Sequence, residues 1–176
     1  MARRAIVTLG HPTLKRNCEP VEGFDGELRD LIADLFETMH VARGIGLAAP
    51  QVDVTRRVIV VDPSPIDPER GRPLALVNPE IVSYSGSSPF EEGCLSIPGV
   101  YTEVRRPERV TVRYADETGS LREETFDGIM ARVIQHERDH LDGILFLDRV
   151  SRIRRAWLLR RYAAPPPGTP ERASAL

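Results

Sequence analysis

Lysine is nearly absent from this chain. Lys15 is the only one among 24 basic residues, and arginine supplies the rest. The skew reads as a genome-composition bias and carries no function. Charge of one sign is lacking as well: 24 basic residues against 26 acidic ones leave a net charge of −2. No global field therefore draws the chain to nucleic acid or to an anionic membrane. Cysteine is scarce, with Cys18 and Cys94 alone. One disulfide is arithmetically possible, but a non-secreted chain of this size does not need it. No apolar run approaches the ~20 residues that span a bilayer. The opening Met1-Ala2-Arg3-Arg4-Ala5-Ile6-Val7 has neither the apolar stretch nor the cleavage signature of a secretory leader. The expectation is a cytoplasmic protein with no membrane association.

What is present suits one folded domain. The chain has 176 residues, 41% hydrophobic and 28% charged, enough for a real core. Residues 1–162 read as that domain, and 163–176, with Pro165-Pro166-Pro167 and nothing to bury, as a disordered tail. Leu28, Leu31, Ile32, Leu35 and Met39 recur at helical spacing, from near Asp25 to a stop before Gly44. The glycine-rich Gly44-Ile45-Gly46-Leu47-Ala48-Ala49-Pro50-Gln51 follows, and Pro50 forbids a regular helix through it. Residues 57–62 predict a buried strand, 62–73 a proline-rich surface loop, and 74–84 strand material broken at Asn78-Pro79. Short strands are predicted over 100–104, 109–114 and 121–126, the last two joined by a turn at Asp116-Glu117-Thr118-Gly119. A second long helix runs from an N-cap at Asp127 to Gly143. A third, arginine-rich helix over 151–162 is built around Ile153, Trp157 and Leu158.

The second helix carries the chemistry. It contains His136-Glu137-Arg138-Asp139-His140, an H-E-x-x-H pattern. Histidines four apart share one helix face, so both imidazoles can reach one metal ion, with a glutamate beside them to handle protons. On a wheel of 100° per residue, Ile129, Val133, His136 and His140 share an edge. Met130, Ile134, Glu137 and Leu141 lie next to it, while Arg132, Gln135, Asp139 and Asp142 fall on the other side. The histidine half should then face the interior and the polar half the solvent. A pair of hydrogen-bonded core histidines is the plain alternative, and the intervening glutamate on an apolar face argues against it.

A catalytic metal needs a third protein ligand and an open position. The two usual protease solutions are missing. The place of a metzincin's third histidine holds Phe146, and the only glutamate after His140 is Glu171, in the proline-rich stretch. The ligand must come from upstream. Cys94, glycine-flanked among predicted strands, is the best candidate, because a thiolate binds Fe(II) or Zn(II) strongly. Its ordinary alternative is a small buried hydrophobe. His11 and His40 stay open as other donors, and Cys18 is given no chemistry.

Three separated segments carry a further signal: Gly44-Ile45-Gly46-Leu47-Ala48-Ala49-Pro50-Gln51, Glu92-Gly93-Cys94-Leu95-Ser96, and Gln135-His136-Glu137-Arg138-Asp139-His140. In order and spacing they resemble the three signature motifs of peptide deformylase, over about residues 5–160. The resemblance implies an α+β fold, with antiparallel β-sheets packed around a central helix bearing the histidine motif and a C-terminal helix after it. It implies a hydrolase of protein biosynthesis and N-terminal methionine processing, which removes the formyl group from the formyl-methionine of nascent polypeptides and releases formate. By position, Cys94, His136 and His140 match the metal ligands, Glu137 the general acid/base, and Gln51 with the Leu95 N–H the donors to the formyl oxygen. The implied cofactor is one divalent ion, usually Fe(II), with Zn(II), Ni(II) or Co(II) able to replace it. Such an ion lowers the pKa of water, so that hydroxide exists near neutral pH to attack the formyl carbon.

Further assignments follow from the same resemblance. Ile45, Ile129 and Val133 are candidates for the methionine pocket, with ordinary core packing as the alternative. The backbones of Gly44, Ile45 and Gly46 and of Glu92 and Gly93 can pair with the substrate as an added strand. Many deformylases carry an arginine seven residues after the cysteine. Here that residue is Tyr101, with Arg105 and Arg106 close behind to approach the same region. The basic helix after residue 151 suggests a contact with ribosomal RNA phosphates, against a plain solvated face. Two other functional classes are weighed: a metallopeptidase, opposed by the missing downstream ligand, and a non-catalytic binder of formylated chains or metal, opposed by the intact Glu137 and Gln51.

Overall fold

A computed structural model describes residues 2–162. The expected disordered tail lies outside these residues. Helix α1 (Gly26–Val41) begins where the Asp25 carboxylate caps the Leu28 N–H at 3.1 Å. Seven strands follow: β1 (Gly46–Ala48), β2 (Val58–Val61), β3 (Leu74–Ser85), β4 (Ser88–Glu92), β5 (Thr102–Arg106), β6 (Arg109–Ala115) and β7 (Leu121–Asp127). Helix α2 (Gly128–Leu141) carries the histidine motif, and α3 (Arg152–Arg161) closes the described chain. The fold is α+β. An antiparallel five-stranded sheet has the order β1-β2-β3-β6-β7, and β4 and β5 form a separate antiparallel hairpin.

The sheet works because β2 is apolar on both faces. All four of its residues are buried. Val58 and Val60 point to α1, in a cluster with Leu28, Leu31, Ile32, Leu35 and Met39. Ile59 and Val61 point the other way, in a cluster with Met130, Ala131, Val133, Ile134 and Leu141 of α2. Alternating side chains thus hold a helix on each face. A third cluster joins Cys94, Ile97, Val100 and Val104 to Leu145, Phe146, Leu147 and Leu158. Helix α2 is consequently walled by the large sheet on one side and by the β4–β5 hairpin with its connecting loop on the other.

That enclosure corrects the helical-wheel reading. Arg132, Gln135 and Asp139, expected to face solvent, are 4%, 5% and 3% exposed. The hairpin covers their side of the helix and supplies polar partners. Three other expectations shift. Asn78-Pro79 does not end the strand. β3 passes through it with a register slip between Val77 and Glu80, while Asn78 takes φ 52° and its side chain bonds the Val21 N–H and carbonyl. Strands β1 and β4 escape the sequence pattern, because each is short and lies in a segment dominated by glycine or charge. In α3 only Leu158 is buried, whereas Ile153 is 86% and Trp157 52% exposed.

Candidate metal centre

The geometry of α2 brings the two histidines together, and the loop leaving β4 supplies the sulfur. One donor atom each from Cys94, His136 and His140 lies within 4.8 Å of the others, and all three residues are buried. Cys94 Sγ stands 3.3 Å from His140 Nε2. The imidazole rings meet edge-on, centroids 5.2 Å apart. His136 Nε2 and His140 Nδ1 are buried with no hydrogen-bond partner among the described residues. Orphaned ring nitrogens are costly, and with Nδ1 of His136 bonded to Glu92, its orphaned Nε2 is the atom free to ligate. One sulfur and two imidazole nitrogens form a borderline-soft donor set, so the residues fit a divalent Fe(II) or Zn(II) ion. Burial, with His136 and Arg106 nearby, holds the His140 imidazole well below its ordinary pKa, in the neutral form that ligation requires.

The other donors considered from the sequence are engaged elsewhere. His11 caps the short 3-10 turn Pro12–Lys15, and half-exposed His40 bonds Asp62 at 3.0 Å. Cys18 is buried at the end of α2, where its N–H bonds Leu141 O at 2.8 Å, and burial pushes its thiol up to about 11. Phe146, which occupies the metzincin ligand's place, stacks on the His136 ring at 6.0 Å between centroids.

A buried charge network surrounds the ligands, and sequence reasoning missed it. Glu92 is held by Arg106 in a fork of 2.6 and 2.9 Å and by Arg132 at 3.0 Å, and it meets His136 Nδ1 at 3.1 Å. Burial opposes ionisation of this carboxyl, but the bonds from His136 and Arg106 prevail and bring its pKa down to about 2. An ionised carboxylate only accepts, so Nδ1 of His136 carries the proton and Nε2 is left as a lone-pair donor. Arg106 also bonds Asp139 at 2.8 Å, and Asp139 is capped by Arg149 at 2.5 and 3.0 Å. Arg106 therefore turns inward, away from the rim role considered for it, while Tyr101 and Arg105 stay exposed. The readable signal was the placement of Arg132 four residues before His136 and Asp139 three after it, which puts them on the ligand's own helix.

Glu137 is buried, and its Oε2 has no hydrogen-bond partner among the described residues. Burial pushes this carboxyl well above its ordinary range, with Arg106 partly opposing. Gln51 lies in a 3-10 turn (Ala49–Val52) at the end of β1. Its Oε1 accepts the Ala48 N–H at 2.8 Å, while Nε2 points at Cys94 Sγ (3.6 Å) and at Ser96 Oγ (3.2 Å). Ser96, the last residue of the cysteine segment, serves as an anchor, a role the sequence did not assign it. Gly44 packs on Leu95 so closely that a Cβ there would lie 2.7 Å from Leu95 Cδ1. The glycine-rich and cysteine segments are thus in contact. Ile45 and Val133 share one apolar cluster, with Ile129 packed against it. Gly46 abuts Glu137, and the Glu92 side chain belongs to the charge network rather than to the surface.

Comparison with known proteins agrees with this constellation. The sequence model of the polypeptide deformylase family matches residues 3–156. The peptide deformylase of Phenylobacterium zucineum is 48% identical over 162 residues, covering 92% of this chain and 95% of that protein. The crystal structure of a peptide deformylase from Legionella pneumophila superposes with a TM-score of 0.83 at 46% identity, over 90% of this chain and 92% of that one. The Ehrlichia chaffeensis peptide deformylase, solved in complex with actinonin, gives a TM-score of 0.85 at 39% identity, over 92% and 96%.

Proposed function

This chain belongs to the polypeptide deformylase family, a hydrolase that removes the formyl group from the N-terminal formyl-methionine of nascent polypeptides, and we propose how its own residues do so. Cys94, His136 and His140 hold one divalent ion, Fe(II) by preference, with Zn(II), Ni(II) or Co(II) able to substitute. The single observation that carries this is the meeting of the three donor atoms within 4.8 Å. When bound, the ion supplies a Lewis acid that makes hydroxide available near neutral pH.

The remaining work belongs to the protein. Glu137 takes a proton from the attacking water and passes it to the departing amine nitrogen. Its dry surroundings raise its proton affinity towards that task. As the formyl oxygen becomes an oxyanion, the Gln51 Nε2–H, already anchored through Ala48, and the Leu95 N–H donate to it. Ile45, Ile129 and Val133 receive the methionine side chain. The backbones of Gly44, Ile45 and Gly46 and of Glu92 and Gly93 pair with the peptide main chain, which leaves the sequence beyond methionine free to vary.

The test is formate release from a formyl-methionyl peptide by anaerobically purified protein, with its metal content measured. The expected result is one metal per chain, activity lost on chelation and restored by Fe(II), and no activity in Glu137→Ala. Cleavage of internal peptide bonds would instead indicate a metallopeptidase. Stoichiometric metal without formate would indicate a binder. We place this activity in the cytoplasm, and among the described residues no helix is long and apolar enough to cross a membrane.

We also propose that α3 touches ribosomal RNA. Arg154 is bonded to Thr102 and Arg155 to Asp148, while Arg152, Arg160 and Arg161 are exposed. Reversing these three charges should weaken salt-sensitive co-sedimentation with ribosomes. Unchanged sedimentation would remove the idea.

A further inference from the structure

The metal site draws on two parts of the chain that no local rule holds at a fixed distance. His136 and His140 ride on α2, whereas Cys94 follows β4, two residues past Glu92. Among the side chains that span that gap, Arg132 reaches furthest across the hairpin. Arg132 sits one turn before His136, with its side chain 5% exposed. Its Nη1 donates to Val104 O and Glu92 Oε1, both at 3.0 Å. Its Nη2 donates to Ser88 O at 2.7 Å and Ser88 Oγ at 3.1 Å, and its guanidinium lies 5.6 Å from the centre of the Phe90 ring. Ser88, Phe90 and Glu92 are successive same-face residues of β4, and Val104 is the β5 partner of Phe90.

We propose that Arg132 is a positioning residue that fixes the β4–β5 hairpin on the histidine helix, and so sets both the separation of Cys94 from the histidines and the orientation of His136 through Glu92. The inference rests on the reading of Cys94, His136 and His140 as metal ligands. Its role differs from that of Arg106. Arg106 belongs to the hairpin and grips Glu92 within it, reaching α2 only at Asp139. Arg132 belongs to the helix and holds both hairpin strands by main-chain carbonyls. A planar fork with five donors can serve these acceptors together, whereas a lysine ammonium is a compact point charge that cannot reproduce the fork.

The probe is Co(II), loaded into full-length wild type, Arg132→Lys and Arg132→Met. The readouts are the Co(II) absorption spectrum and the rate of metal release to excess chelator. Groups that orient a metal's ligands are typically worth roughly 10–100-fold in metal affinity. Arg132→Met should release Co(II) faster by that factor, with a displaced thiolate-to-cobalt band, and Arg132→Lys should fall between it and wild type. Wild-type release rates and spectra in both variants would overturn the proposal, even with lowered melting temperatures. Should Arg132→Met not fold, the lysine variant decides alone. Should neither fold, Arg132 is a folding residue and the positioning role falls. Failure of wild type itself to bind Co(II) would instead strike the metal-site reading.

Discussion

Gly46 and Glu137 are in direct contact: a Cβ on Gly46 would lie 2.5 Å from Glu137 Oε1 and 2.7 Å from Val133 Cγ1. The first signature segment and the histidine helix meet at this point, and only a residue without a side chain lets β1 pass. Gly46→Ala must push β1 off α2 or displace the carboxylate. Overpacking of this kind costs about 1–3 kcal/mol, and a misplacement near 1 Å at a reacting group costs roughly 100-fold. Urea melts should register the first loss, and formate release per bound metal the second.

Glu137→Gln keeps the side chain's shape and removes its proton chemistry. It should lower kcat by roughly 10²–10⁴-fold while metal content, read by elemental analysis, stays at wild type. A variant that keeps wild-type turnover would remove Glu137 from the proton path.

Gln51 is best tested by Gln51→Glu. The glutamate retains an oxygen for the Ala48 N–H but loses the amide donors near Cys94. Loss of one oxyanion donor should cost about 2.7–4 kcal/mol in barrier height. The expected split is a lower kcat at near-constant KM, with folding intact by circular dichroism.

Acid should weaken a fold contact outside the metal site. Asp34 accepts the Ala2 N–H at 2.6 Å and pairs with Arg4 at 3.0 Å. The Ala2 bond first, then Arg4, hold its pKa below the ordinary 3.8 although burial opposes them. Because the folded value is the lower one, this stabilisation is present above about 3.8 and is lost as pH falls through the folded value. Asp34→Asn should cost about 1–2 kcal/mol at pH 7. Thermal melts should show the gap from wild type closing as pH drops below 4.

Much of this could be read from the chain itself. The i, i+4 histidines, the apolar period of α1 and the run Val58-Ile59-Val60-Val61 are local signals, because helix and strand geometry repeat within a few residues. The absence of a downstream histidine or glutamate ligand is equally visible. It points upstream to Cys94, and the fold does bring that sulfur to the two histidines.

The tertiary structure decided what no period encodes. A hydrophobic pattern assigns Arg132, Gln135 and Asp139 to solvent, since charges are seldom buried unless paired. Their partners, Ser88, Glu92, Val104, Arg106, Pro107 and Arg149, come from segments 10 to 44 residues away. Only when the β4–β5 hairpin and the turn carrying Arg149 close on α2 do those charges acquire counter-charges and acceptors that make burial tolerable. Sequence alone thus determined which residues offer sulfur, nitrogen and carboxylate. Packing decided which nitrogen of His136 faces the site and how far Cys94 stands from it, because distance and tautomer are set by contacts between segments remote along the chain.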